Sequence, residues 1–271
     1  MENERKTDRS ADMGMDEHRL SDILLASQIK ATDIYETPPQ IIWIDNSTIA
    51  TLGNFSASTG KAKSKKTFNV SALVAASLAG KQVLNYRAHL PEGKQRILYV
   101  DTEQSRFHCR SVLERILRLA GLPTTTDPEN LDFFCLREYS PSVRVEVIDY
   151  ALRQNKGYGL VIIDGIRDLM YDINSSSEST DLINLLMRWS SGYNLHIHTV
   201  LHLNKGDDNT RGHIGTELNN KAETVLLVEK DKSNGDISNV SAMHIRAMDF
   251  EPFAFRINDN ALPELIEGYR P

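Results

Sequence analysis

Apolar residues in this chain gather into short continuous runs separated by amphipathic stretches. Arg96-Ile97-Leu98-Tyr99-Val100, Gly159-Leu160-Val161-Ile162-Ile163 and His196-Ile197-His198-Thr199-Val200-Leu201 are such runs, with the length and β-branched content of strands buried on both faces of a parallel sheet. Between them, helical spacing predicts helices around 112–119 and over 142–152 and 181–189, and Phe133 marks a further strand. Alternation of this kind predicts an α/β fold, a mostly parallel twisted sheet with right-handed crossovers and flanking helices. Upstream, 41–44 and 48–52 read as strands, and 68–78 as a helix with Gly80 as its C-cap. Ser175-Ser176-Ser177-Glu178 breaks the pattern ahead of the helix over 181–189. From Val225 through 240–245 to 253–257 the periodicity changes to strands joined by polar turns, and Asn234-Gly235 is a hairpin signal, so C-terminal β-hairpins are expected.

The first 15 or so residues are polar, and Leu20, Ile23, Leu24 and Ile29 recur at helical spacing over 16–30. With Pro38-Pro39 as boundary, the chain divides into a tail with an amphipathic helix (1–37) and a single core domain (38–271). At 271 residues and 40% hydrophobic content it has enough material for one substantial core. Its longest apolar runs are too short to cross a bilayer, and its start lacks the apolar stretch of a signal peptide, so a cytoplasmic protein without membrane contact is expected. Two cysteines, Cys109 on a predicted helix and Cys135 on a predicted strand, offer no disulfide framework. A net charge of −6 speaks against a surface coated in positive charge, while leaving room for a local basic groove.

Against this background one segment stands out. Gly60-Lys61-Ala62-Lys63-Ser64-Lys65-Lys66-Thr67, leading into Phe68, fits the phosphate-binding loop G-x-x-x-x-G-K-[ST] at every fixed position except Lys65, where a second glycine is usual. Such a loop turns backbone N–H groups toward phosphate, supplies a lysine to the terminal phosphates, here Lys66, and sets a hydroxyl, here Thr67, on magnesium. A basic surface turn ahead of an ordinary helix is the plain alternative. Lys65 must either point outward or add charge beside the nucleotide. Two of the apolar runs then end in carboxylates, Asp101-Thr102-Glu103 and Asp164-Gly165, at the strand ends where parallel sheets bind ligands. Asp164 has the position of an acid that holds magnesium, and Glu103 that of a base orienting water. His196, His198 and His202 alternate along one strand, so they share one face of a sheet rather than completing a metal cluster.

The order of loop, Glu103, Asp164 and then His202-Leu203-Asn204-Lys205-Gly206 and Arg211-Gly212 resembles the RecA-like ATPase core. Its nearest likeness is the branch with the RepA and DnaB helicases and their single-domain relatives on bacterial mobile elements, over about residues 40–257. The resemblance implies ATP and Mg2+ as ligands. It assigns catalytic roles to Glu103, to His202 as sensor of the terminal phosphate, and to Arg211 as a residue reaching a neighbouring subunit's site, with Lys205 and Lys221 as weaker candidates. It implies a weak Mg2+-dependent ATPase acting in replication, mobilisation or excision of DNA, a homo-oligomer such as a hexamer, and single-stranded DNA or replication and mobilisation proteins as partners. Lys61 gives a lesser likeness to the deviant loop of the ParA and MinD ATPases, against which stands the absence of adjacent glycines after it. A nucleotide switch that regulates a partner without hydrolysis is the competing class, and Lys65 favours it.

Overall fold

The computed structural model describes residues 17–203 and 212–268. It separates into two units, residues 1–37 and residues 38–271. In the first, α1 (Glu17–Ser27) is helical. The second begins with β1 (Gln40–Ile44) and β2 (Ser47–Thr51), an antiparallel hairpin extended by β4 (Tyr86–Ala88) into a small three-stranded sheet.

The main sheet is built on β3 (Phe55–Gly60), β5 (Arg96–Asp101), β6 (Leu131–Cys135), β7 (Tyr158–Asp164) and β8 (His196–His202). It continues through β9 (Thr224–Lys230) into β10 (Ile237–Ile245), β11 (Phe253–Ile257) and β12 (Pro263–Leu265). Across the sheet the order is β12-β11-β10-β9-β3-β8-β7-β5-β6. All pairs from β9 to β6 are parallel, and those from β9 to β12 are antiparallel. The expected parallel sheet with C-terminal hairpins is therefore what forms.

Helices cover both faces. On one lie α2 (Lys66–Ala79) and α3 (Arg106–Ala120), whose Val70, Leu73 and Ile116 pack with Ile97, Tyr99 and Ile162 and with Ile42 and Ile44 of the small sheet. On the other, α4 (Pro141–Gln154), α5 (Ser176–Tyr193) and α6 (Gly212–Lys221) bring Ile148, Leu186, Trp189 and Leu218 against Leu98, Val161, Ile163 and Ile197. These sheet residues read as continuous apolar runs because alternate side chains enter different helical layers.

Several elements differ from the sequence expectation. β3 was not expected as a strand, although it leads into the phosphate loop at the centre of the sheet. The serine run before 181 does not interrupt α5 but starts it: Ser175 Oγ accepts from Glu178 N at 3.2 Å, and the helix begins at Ser176. That is the Ser-x-x-Glu capping signature. α6 and the short β4 and β12 also lay outside the expected elements. Gly80 does close α2, in the left-handed conformation (φ 60°).

Candidate nucleotide site

The parallel register brings four strand ends to one level. Gly60 of β3 pairs with His202 of β8, Val200 of β8 with Asp164 of β7, and Asp164 with Asp101 of β5. Crossovers leave the strand carboxyl ends as the open edge of such a sheet, and this edge is where the loop, both acids and the histidine meet.

Residues 60–67 wrap the N-terminus of α2. Gly60 admits no side chain, since a Cβ would stand 2.1 Å from Val228 O of β9 and 2.7 Å from Ser64 Oγ. Lys63 and Lys65 take left-handed backbone angles (φ 65° and 69°). Lys65 thus keeps the conformation that glycine supplies in regular loops, at a cost of roughly 1–2 kcal/mol for a residue with a Cβ. Its ammonium donates to Asp236 O, at the turn before β10, so it points away from the phosphate cradle. Lys61, Ala62 and Lys63 are exposed at the loop's rim.

Lys66 turns inward, donating from Nζ to Gly60 O (2.8 Å) and Lys61 O (3.0 Å) and meeting His202 Nδ1 at 3.0 Å. Burial pushes its ammonium down to about 8, with Glu103 and Asp164 opposing the shift. Because the ammonium can only donate, His202 Nδ1 accepts, and the hydrogen on Nε2 faces Glu103 Oε2 at 3.5 Å. This bond to His202 is the main reason Glu103 is held below the usual carboxylate range. A chain Lys66–His202–Glu103 therefore links the loop lysine to the carboxylate at the end of β5.

Thr67 Oγ1 and Tyr99 Oη both donate to Asp164 Oδ2, at 3.2 and 2.9 Å. Asp164 is almost fully buried, and desolvation, with Asp101 and Glu103 adding repulsion, raises its carboxyl to about 7. Asp101 has a role that sequence reasoning did not assign. Its Oδ1 accepts from Glu103 N (3.0 Å) and Gln104 N (2.7 Å), and its Oδ2 accepts from the Gln104 amide (2.7 Å). This Asx turn fixes the backbone from which Glu103 projects. An Asp two residues before the glutamate was its only signal. Gly165, at φ 108°, completes the arrangement, because a Cβ there would lie 2.2 Å from Thr102 Oγ1 and 2.9 Å from Glu103 Cγ.

Lys66, Thr67, Glu103, Asp164 and His202 line a cleft of about 340 Å³ together with Phe68, Gln104, His108, Ser111 and Arg115. The Arg115 guanidinium stacks over Phe68 at 3.6 Å, and its Nε is buried without a hydrogen-bond partner. Ser64 Oγ in the loop is likewise buried and unpartnered. Unmet polar groups around a basic loop at a helix N-terminus fit a phosphate chain. A hydroxyl and a carboxylate sharing one hydrogen bond fit a hard divalent cation, as Mg2+ is.

Lys205 and Arg211 lie outside the described residues. Lys221 ends α6 two residues before Glu223, whose N–H bonds to Phe55 O at the start of β3. It therefore sits at the opposite end of the sheet from the loop, which removes it from the site of its own chain. Among the described residues no group of three or more His, Cys, Asp or Glu side chains forms a metal cluster. His196 and His198 are instead buried and bonded to serines of β3. No described helix is long and apolar enough to cross a membrane.

Sheet order and loop together define a RecA-like P-loop ATPase fold. The chain belongs to the AAA domain family AAA_25, whose profile matches residues 20–208, well over half its length. Among solved structures it is similar in fold to the RadB recombinase, with a TM-score of 0.55 and 14% identity, over 80% of this chain and 92% of that one. No curated protein sequence matches it.

Proposed function

We propose that this protein binds ATP with Mg2+ and hydrolyses it slowly, as a homo-oligomer of the RepA and DnaB type acting in replication, mobilisation or excision of DNA. The observation that carries the nucleotide reading is the convergence of Lys66, Thr67, Glu103, Asp164 and His202 on one cleft at the carboxyl edge of the sheet. The DNA role is supported by the resemblance of the motif order and by fold likeness to a protein named as a recombinase.

In this reading Lys66 exchanges its bonds to Gly60 O, Lys61 O and His202 for oxygens of the β- and γ-phosphates, while the N–H groups of the loop cradle the same chain. Thr67 and Asp164 would hold Mg2+, which would supply neutralising charge to the phosphates. Once Lys66 leaves His202, the imidazole is free to turn toward the γ-phosphate, and that turn, by releasing Nε2 from Glu103 Oε2, leaves the carboxylate free to take a proton from an attacking water. The nucleotide-switch reading draws on Lys65, whose bond to Asp236 O ties the loop to the C-terminal hairpin.

Ligand bound only to the native state stabilises it by mass action, by about 2.7 kcal/mol at about a hundred times Kd. ATP with Mg2+ is expected to raise the melting temperature, and Lys66→Ala to remove most of that rise; an equal shift in both proteins would sink the loop assignment. Phosphate release with and without single-stranded DNA separates slow hydrolysis from a switch, because a switch shows the stabilisation with no turnover under either condition.

A further inference from the structure

Outside the cleft, the two thiols of the chain meet directly beneath the turn that carries Glu103. Cys135 ends β6 and is the cross-strand partner of Asp101. Cys109 lies one turn into α3, packed above it. Both thiols point at one acceptor, Gln104 O, from 3.7 Å for Cys109 and 3.3 Å for Cys135, and they interact with each other. Gln104 is the residue whose N–H and side-chain amide Asp101 holds. A surface cleft of about 190 Å³ is lined by both cysteines, the buried Cys109 and the half-buried Cys135, with Arg106, Arg110, Leu113 and Phe133.

We infer that Cys109 and Cys135 form a reversible redox site that takes an anionic low-molecular-weight disulfide of the glutathione type and closes to an intramolecular disulfide. The half-buried Cys135 reacts first: its thiolate attacks one sulfur of glutathione disulfide, and one glutathione thiolate leaves. Cys109 then attacks Cys135 Sγ as its proton passes to solvent, which breaks the mixed disulfide and releases the second glutathione as a thiolate that takes up a proton from solvent. The protein loses two protons and two electrons, and glutathione disulfide takes up both pairs to become two glutathiones. Arg106 carries charge that complements a glutathione carboxylate, while Arg110 is held by Glu114 (2.9 Å) and Thr124 O (2.7 Å) at the same cleft. Burial raises the Cys109 thiol above its ordinary value, which leaves the more accessible Cys135 to react first. Closing the bond removes both S–H donors from Gln104 O and ties α3 to β6, which shifts the turn behind Glu103.

The modification stands on mass and thiol count and is independent of the nucleotide reading. Only its effect on turnover rests on that reading. Native wild-type protein treated with excess glutathione disulfide is expected to go from two titratable thiols to none, with an intact mass two hydrogens lighter, and to recover with dithiothreitol. Cys109→Ser should stop at a stable glutathione adduct on Cys135. A wild-type protein that keeps both thiols, or that ends as a glutathione adduct with one thiol free, overturns the inference. If the disulfide forms, ATP turnover is expected to fall at least tenfold and return on reduction. Unchanged turnover in the fully oxidised protein overturns the coupling to Glu103. An absence of turnover in the reduced protein would instead count against ATP hydrolysis and leave the disulfide intact.

Discussion

Lys65 shows how one irregular residue can be accommodated without loss of the loop. Its left-handed backbone keeps the chain path that glycine usually supplies, and its side chain leaves the cradle to bond Asp236 O. Two effects of Lys65→Gly then oppose each other. Relief of the left-handed conformation contributes roughly 1–2 kcal/mol, while the lost bond to a carbonyl at an exposed site returns about 1 kcal/mol. Melting temperature should therefore change little. Because the ammonium is engaged by Asp236 O, ATP affinity should also hold within about threefold, a difference of under 1 kcal/mol. Turnover is where the two readings part. An increase that still requires Glu103 would mean that the tie to the C-terminal hairpin restrains the loop; a tenfold loss of affinity would mean that Lys65 charge reaches the nucleotide after all.

At the scale of elements, β3 and β8 explain both a strength and a blind spot of the sequence. The apolar runs of β5 and β7 were legible because their apolar positions alternate between two hydrophobic layers, and β8 was legible from Ile197, Val200 and Leu201. β3 reads Phe-Ser-Ala-Ser-Thr-Gly, with little strand signal of its own, because only Phe55 and Ala57 join an apolar layer while Ser56 and Ser58 are buried against polar partners far away in sequence. His196 Nδ1 bonds Thr51 O at 2.8 Å and so must carry the hydrogen. Its Nε2 then accepts from Ser56 Oγ (2.7 Å), Ser56 accepts from His198 Nδ1 (2.7 Å), and His198 Nε2 accepts from Ser58 Oγ (2.8 Å). One polarised chain satisfies two serines and two histidines, and no single segment reveals it. The same logic hid Asp101, whose work is done on backbone N–H groups next to it, whereas Glu103, Asp164 and the loop were legible from spacing alone. Burial pushes His198 down to about 3. The unfolded chain, with histidine near 6.5, therefore takes up the proton first, and the stability contributed by neutral His198 is complete above pH 6.5 and drains as pH falls toward 3. Compared with His198→Gln, the wild type should lose up to about 1.4 kcal/mol per pH unit below 6.5 in denaturant titrations. Parallel pH profiles for the two proteins would show that His198 is not held neutral.

For the whole molecule, the open edge of the sheet leaves the loop, Glu103 and His202 facing outward together, so a neighbouring copy has access to the site. Cleavage of a phosphoryl bond spreads negative charge over the transferring group, and a guanidinium supplied across an interface is worth on the order of 10³ to 10⁵ in rate. We propose Arg211 for that role, on the resemblance of the motif order to RepA and DnaB. Arg211→Ala should then cut turnover by about 10³-fold and leave ATP affinity nearly unchanged. Glu103→Gln should be inactive as well, for a different reason, since it removes the base within its own subunit. Mixing the two inactive proteins distributes both lesions among interfaces, and some interfaces will pair an intact Glu103 with an intact Arg211. Partial recovery of turnover in the mixture is the expected result, with native mass spectrometry showing the exchanged assemblies. Mixed assemblies without recovery, or a wild-type protein that hydrolyses ATP as a strict monomer, would mean that each subunit completes its own site and that Arg211 acts on nothing in its neighbour.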